Sequence, residues 1–187
     1  MPNWVFSHIE VDEKHLPIIE QIIASGGLCR HYLPMPEDIT KTMSPNRIIT
    51  EEEYAERVAN GTTSETLSDR FGPEHYNTQA QVNDFTQRYG APDWYGWANA
   101  HWGTKWGDCH HEIDLSVPGK VILRYESAWG PVGSNILDAF FAQVTDARYI
   151  WEEEQGFGEE YVIKDSVPTL VREWDSPEWG EEQIEEQ

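Results

Sequence analysis

The segment His111-Glu112-Ile113-Asp114-Leu115-Ser116-Val117-Pro118-Gly119-Lys120-Val121-Ile122-Leu123-Arg124-Tyr125-Glu126-Ser127 decides the fold. Its first half alternates, with Ile113, Leu115 and Val117 facing one way and Glu112, Asp114 and Ser116 the other. Pro118-Gly119 is a turn signal. Beyond it Val121, Leu123 and Tyr125 again share one face. Two alternating runs joined by a tight turn form an antiparallel hairpin.

Each side of the hairpin offers a strand and a helix. Upstream, Asn3 to Val11 is β-rich and opens the chain. Asp12-Glu13 is read as the cap of a helix carrying Leu16, Ile19, Ile22 and Ile23, with Pro17 in its first turn and Gly26-Gly27 at its end. Downstream, a helix begins at Ser134 or Asn135 and carries Ile136, Leu137, Phe140, Phe141 and Val144. Arg148 to Trp151 follows as a last inner strand, and Glu160 to Ile163 returns as an outer one. The order β-α-β-β-α-β is that of a ferredoxin-like split βαβ fold of the α+β class, an antiparallel sheet with helices on one face.

Between the first helix and the hairpin lies a helical insertion at about 40–92. Leu28 to Pro36 reads as an irregular or edge segment. Thr50 and Glu53 form a capping box for a helix running to about Ala59. Thr78 to Tyr89 is a further helix that stops at Gly90. Residues 94–106 also have the spacing of a short helix. The chain is thus one domain over 1–172, followed by an acidic, flexible tail at 173–187 that carries seven acids and no base.

The formal net charge of −21, from 34 acids and 13 bases, repels phosphate polymers and anionic membrane surfaces. Direct nucleic-acid or membrane binding is not expected. Two cysteines, Cys29 and Cys109, make no disulfide framework. With neither a leader-like start nor an apolar run of membrane-spanning length, a cytoplasmic location is expected.

Four of the nine Trp residues crowd into 94–106. Three landmarks then coincide. They are Met1-Pro2-Asn3-Trp4, Asn99-Ala100-His101-Trp102-Gly103-Thr104-Lys105-Trp106 and Ser127-Ala128-Trp129-Gly130-Pro131, with Leu33-Pro34-Met35-Pro36-Glu37 in support. Together they resemble the YubB-like ferredoxin-fold family of conjugative plasmids, phages and genomic islands. The chain departs from that pattern at Val5 and His101, where the family favours Cys and Asn, and at Gly130-Pro131. The resemblance implies the fold and a mobile-element setting, and it brings no catalytic residues.

Two sets of residues are candidates for function. Glu152, Glu153, Glu154, Glu159 and Glu160 would form an acidic surface that binds a host protein with a basic face. In its most concrete form, such an accessory protein mimics nucleic acid and inhibits a defence or nucleic-acid-processing factor. Alternatively Trp94, Trp102, Lys105, Trp106 and His111 would line a pocket for a small ligand or substrate. A structural or dimeric module is a third reading. Asp108-Cys109-His110-His111-Glu112 gathers metal-ligand types, and His101 or His75 would be needed to complete a set. Strand alternation places Cys109 and His111 on one face and His110 and Glu112 on the other, so no metal or cofactor is expected. No nucleophile motif is present, and catalysis is not expected.

Overall fold

The computed structural model describes residues 3–42, 44, 47–60, 68–69, 72–73 and 76–175. His75 and residues 176–187 of the acidic tail lie outside the described residues.

Strand β1 (Trp4–Asp12) shows the alternation of a strand covered on one side. Val5, Ser7, Ile9 and Val11 are buried, whereas Phe6 on the opposite face is 49% exposed. A 3-10 turn (Glu13–His15) precedes α1 (Leu16–Ala24), which buries Ile19 and Ile22. Asp12 is therefore not the helix cap. Its carboxylate instead accepts from Lys120 Nζ at 2.8 Å, because strand pairing sets the two residues opposite each other.

Leu28–Tyr32 forms a short helix, α2, rather than an irregular edge. Its first N–H groups have a partner from far along the chain: Asp108 accepts from Leu28 N–H at 2.6 Å and from Cys29 N–H at 2.8 Å. No local pattern encodes such a cap.

The segment that follows holds α3 (Glu37–Thr40), β2 (Arg47–Ile49), α4 (Glu51–Ala59), β3 (Ser68–Asp69), β4 (Gly72–Pro73), β5 (Tyr76–Thr78) and α5 (Gln79–Tyr89). Helices α4 and α5 each start with a complete capping box, Thr50 with Glu53 and Thr78 with Gln81. Strands β2 and β5 pair in parallel, and β3 pairs with β4.

Helix α6 (Trp94–Trp102) leads to β6 (Asp108–Asp114) and β7 (Lys120–Ala128), joined through Pro118-Gly119. Strand β6 ends before Leu115 and Val117, which are exposed. It begins instead at Asp108. Next come α7 (Ser134–Val144), β8 (Ala147–Glu153), β9 (Gly158–Lys164) and β10 (Val167–Trp174). Strand β10, absent from the sequence reading, pairs antiparallel with β9 and shows little burial, so no inward face marks it as a strand.

Among the described residues, six strands form one antiparallel sheet in the order β10-β9-β8-β1-β7-β6. Ile9 stands opposite Leu123 on one side and Tyr149 on the other. These three side chains share a core with Ile19 and Ile22 of α1, Trp97 and Trp102 of α6, and Phe140 and Phe141 of α7. The chain is thus an α+β protein built on an antiparallel sheet. No helix among the described residues is long and apolar enough to cross a membrane.

Candidate functional site

The Trp-Gly-Thr-Lys-Trp run at 102–106 builds one wall of a groove, and each of its residues has a separate task. Trp102 is 3% exposed, and its indole N–H donates to the Leu33 carbonyl at 2.8 Å. Gly103 ends α6 in the left-handed conformation, at φ +74°. Its Cα also faces the Gly133 backbone so closely that a Cβ would stand 3.1 Å from it. Thr104 is buried and fastens the loop to the end of β7. It donates to the Ala128 carbonyl at 2.8 Å and accepts from the Ala128 N–H at 3.1 Å. That anchoring leaves Lys105 and Trp106 at the surface side of the loop.

The Lys105 ammonium lies 4.6 Å from the ring centroids of both Trp106 and Trp129. Trp129 is 48% exposed and has φ +72°, a conformation that strains a bulky side chain. Its N–H donates to the Asn3 carbonyl at 2.8 Å, and its ring meets Tyr95 edge-on.

Packed on the Trp102 end of this wall is Arg30 of α2. One Nη1–H donates to the Gly26 carbonyl at 3.1 Å, and the guanidinium lies over the Trp102 ring, 5.7 Å from its centroid. Gly26 has φ +93°, and a Cβ there would stand 2.9 Å from Arg30 Cδ. Glycine at 26 therefore makes both the turn and the room for the guanidinium stem.

Ser25, Arg30, Pro34, Met35, Thr40, Trp94, Trp102, Lys105 and Trp106 enclose a groove of about 490 Å³. Four of the five expected pocket residues, Trp94, Trp102, Lys105 and Trp106, thus come together. His111 does not line it. Its Nε2 sits 2.7 Å from Asp108 Oδ2, and the pair is mostly buried behind α2. Asp108 caps α2, so His111 supports the helix that carries Arg30 rather than the groove itself.

The groove's charge is unlike that of the rest of the chain. No Asp or Glu among the described residues lines it. Lys14, Lys41, Arg88, Lys120, Arg124, Arg148 and Lys164 all pair with carboxylates. Among the described residues, Arg30 and Lys105 form no such pair; Arg172, on strand β10, is also without one. Rings and a backbone carbonyl hold the two groove cations, and neither contact neutralises them.

The five expected acidic contacts are not gathered on one surface. Register puts Glu152 and Glu160 on the open face of the sheet and Glu153 and Glu159 on the helix-covered face. Glu160 pairs with Arg148 at 2.8 Å, and its carboxyl is held below the ordinary range chiefly by that bond. Glu159 accepts from Trp151 Nε1 at 3.0 Å and from the Tyr161 hydroxyl at 2.6 Å. Glu152 accepts from Trp174 Nε1 at 3.0 Å, and Glu154 from the Trp4 N–H at 3.1 Å. Glu153 is buried and accepts from the Gln155 N–H at 2.6 Å.

A bulge between Cys109 and Glu112 reorganises the metal-ligand types of β6. His110 takes φ +52°, and its Nδ1 lies 2.6 Å from Glu126. The extra residue brings Asp108 and His111 to the same side, contrary to simple alternation. His101 is engaged elsewhere, 3.2 Å from the Tyr89 carbonyl and packed at a tilt against the Trp97 ring. No three of these ligand types converge among the described residues. Cys29 and Cys109 are free thiols, and burial is the main cause that pushes both up from the ordinary thiol range.

No family model and no curated protein matches the chain, so the resemblance to YubB-like proteins rests on the quoted motifs alone. Among solved structures, it is similar to a crystal structure of the protein api92 from Yersinia pseudotuberculosis, described under the family model DUF1281. The likeness covers 95% of this chain and 99% of that one, at 9% identity and a TM-score of 0.49.

Proposed function

We propose that this protein binds a small anionic molecule with a flat apolar body in the groove between α2 and the Trp102–Trp106 loop. The observation that carries this reading is the convergence of two cations without carboxylate partners, Arg30 and Lys105, on a groove lined, among the described residues, by three indoles and no acid. Both cations are positioned before any ligand arrives, which lowers the ordering cost of binding. A volume of about 490 Å³ lies within the span of small-molecule sites. The strained, half-exposed Trp129 beside Lys105 adds support, since strain of that kind gathers at functional positions.

The acidic-surface reading, a contact with a basic host protein, draws less support. Its glutamates divide between two faces, and each accepts a hydrogen bond or pairs with a cation within the chain. Two wider readings belong to the same proposal. The order β8-β1-β7-β6, with helices between β1 and β6 and between β7 and β8, supports a ferredoxin-like split βαβ core. The Trp-Gly-Thr-Lys-Trp and Ala-Trp-Gly-Pro motifs support a YubB-like relation and its mobile-element setting.

The test is a fluorescence titration with anilinonaphthalene sulfonate, a flat aromatic anion. Saturable one-site binding is expected. A lost charge-assisted contact is worth about 1.5–3 kcal/mol, so Arg30→Ala and Lys105→Ala should each weaken binding about tenfold or more. Glu159→Gln should leave it unchanged. Binding that is unsaturable, or that both cation variants retain in full, would refute the proposal.

A further inference from the structure

Resting on the groove reading above, we infer that the ligand is an aromatic phosphate monoester of mononucleotide size, and that polymers of the same chemistry are excluded. Charge comes first. Arg30 and Lys105 together supply two positive charges to one groove, and a phosphate monoester carries about −1.5 to −2 near pH 7. A carboxylate or sulfonate would match only one of them.

Geometry comes second. One Arg30 N–H is held by the Gly26 carbonyl, and the Trp102 ring supports the guanidinium plane. Guanidinium has five N–H donors, so a fork remains for phosphate oxygens. Lys105 supplies a compact point charge from the Trp102–Trp106 loop to the same groove. The indoles of Trp94 and Trp106 line the same groove, and a flat base stacks on such rings whatever its identity.

Third comes the field beyond the groove. The chain carries −21. Glu37 and Asp38 of α3, the helix whose Thr40 lines the groove, are matched by Lys41 and Arg88, so the excess negative charge is that of the molecule as a whole. One phosphate seated between the cations is neutralised. A second or third phosphate extending past the groove finds no further groove cation among the described residues and meets the field of a chain of net charge −21, so the repulsion grows with each added unit. The indoles and cations select the nucleotide, and the overall negative charge limits its length.

Calorimetric titrations of the full chain in about 0.1 M salt, where the Debye length is near 10 Å, would compare four probes: adenosine monophosphate, adenosine, inorganic phosphate and an oligoadenylate. The monophosphate should bind at least tenfold more tightly than each of the other three. It should displace anilinonaphthalene sulfonate, and Arg30→Lys should weaken it while adenosine is unaffected. Equal affinity for adenosine and its monophosphate overturns the inference, as does an oligoadenylate that binds as tightly as the monomer. If the sulfonate probe binds at Arg30 and Lys105 but the monophosphate does not compete, this inference falls and the groove reading stands. If neither binds, both fall.

Discussion

Asp108 sits where burial opposes its charge, yet its carboxyl is held below the ordinary range. The bond to His111 and the backbone N–H groups of Cys29 and Leu28 outweigh the loss of solvation. A carboxylate with a depressed pKa stabilises the fold above its unfolded value near 4, and that contribution fades as pH falls through the folded value. Asp108→Asn should therefore cost about 1–3 kcal/mol at pH 7, with the gap between variant and parent narrowing below about pH 4. Urea unfolding of both proteins at the two pH values measures this, and a constant gap would mean that the charge itself contributes nothing. The sequence showed Asp108 and His111 as ligand types in one run. It did not show that a bulge would unite them, because the extra residue at His110 depends on how β7 pairs alongside.

At the scale of elements, local chemistry was sufficient wherever a segment could satisfy its own ends. Thr50 with Glu53 announces α4, and the spacing of Val82, Phe85 and Tyr89 announces α5. Thr78 is buried, and its hydroxyl accepts from the Gln81 N–H. Thr78→Ala should lower stability by about 1 kcal/mol, read as a shifted denaturant midpoint with an unchanged slope. No shift would mean that α5 takes its stability from packing alone. Helix α2 escaped the reading because its cap comes from a residue 80 positions away. Strand β10 escaped it because its side chains are mostly exposed, which leaves only the ladder with β9 to define it.

Over the whole molecule, a net charge of −21 sets acid against acid. Such self-repulsion weakens the compact state, and salt screens it. The unfolding temperature should therefore rise between about 10 mM and 0.3 M sodium chloride, where the Debye length falls from roughly 30 Å toward 6 Å. A flat or falling profile would mean that the ion pairs along the sheet outweigh the general repulsion.

The α+β class, the central hairpin and the buried faces of β7 and α7 were legible in the order of residues alone. Those features follow from periodicity, turn chemistry and capping, which act between residues near in the chain. Which charges remain available was settled by long-range packing. Strand register set Glu152 and Glu160 on one face and Glu153 and Glu159 on the other, and folding brought each a hydrogen-bond donor, while the packing of α2 against the Trp102 loop left Arg30 and Lys105 without a carboxylate. Composition counts charges, but whether a charge is neutralised depends on what folding sets beside it.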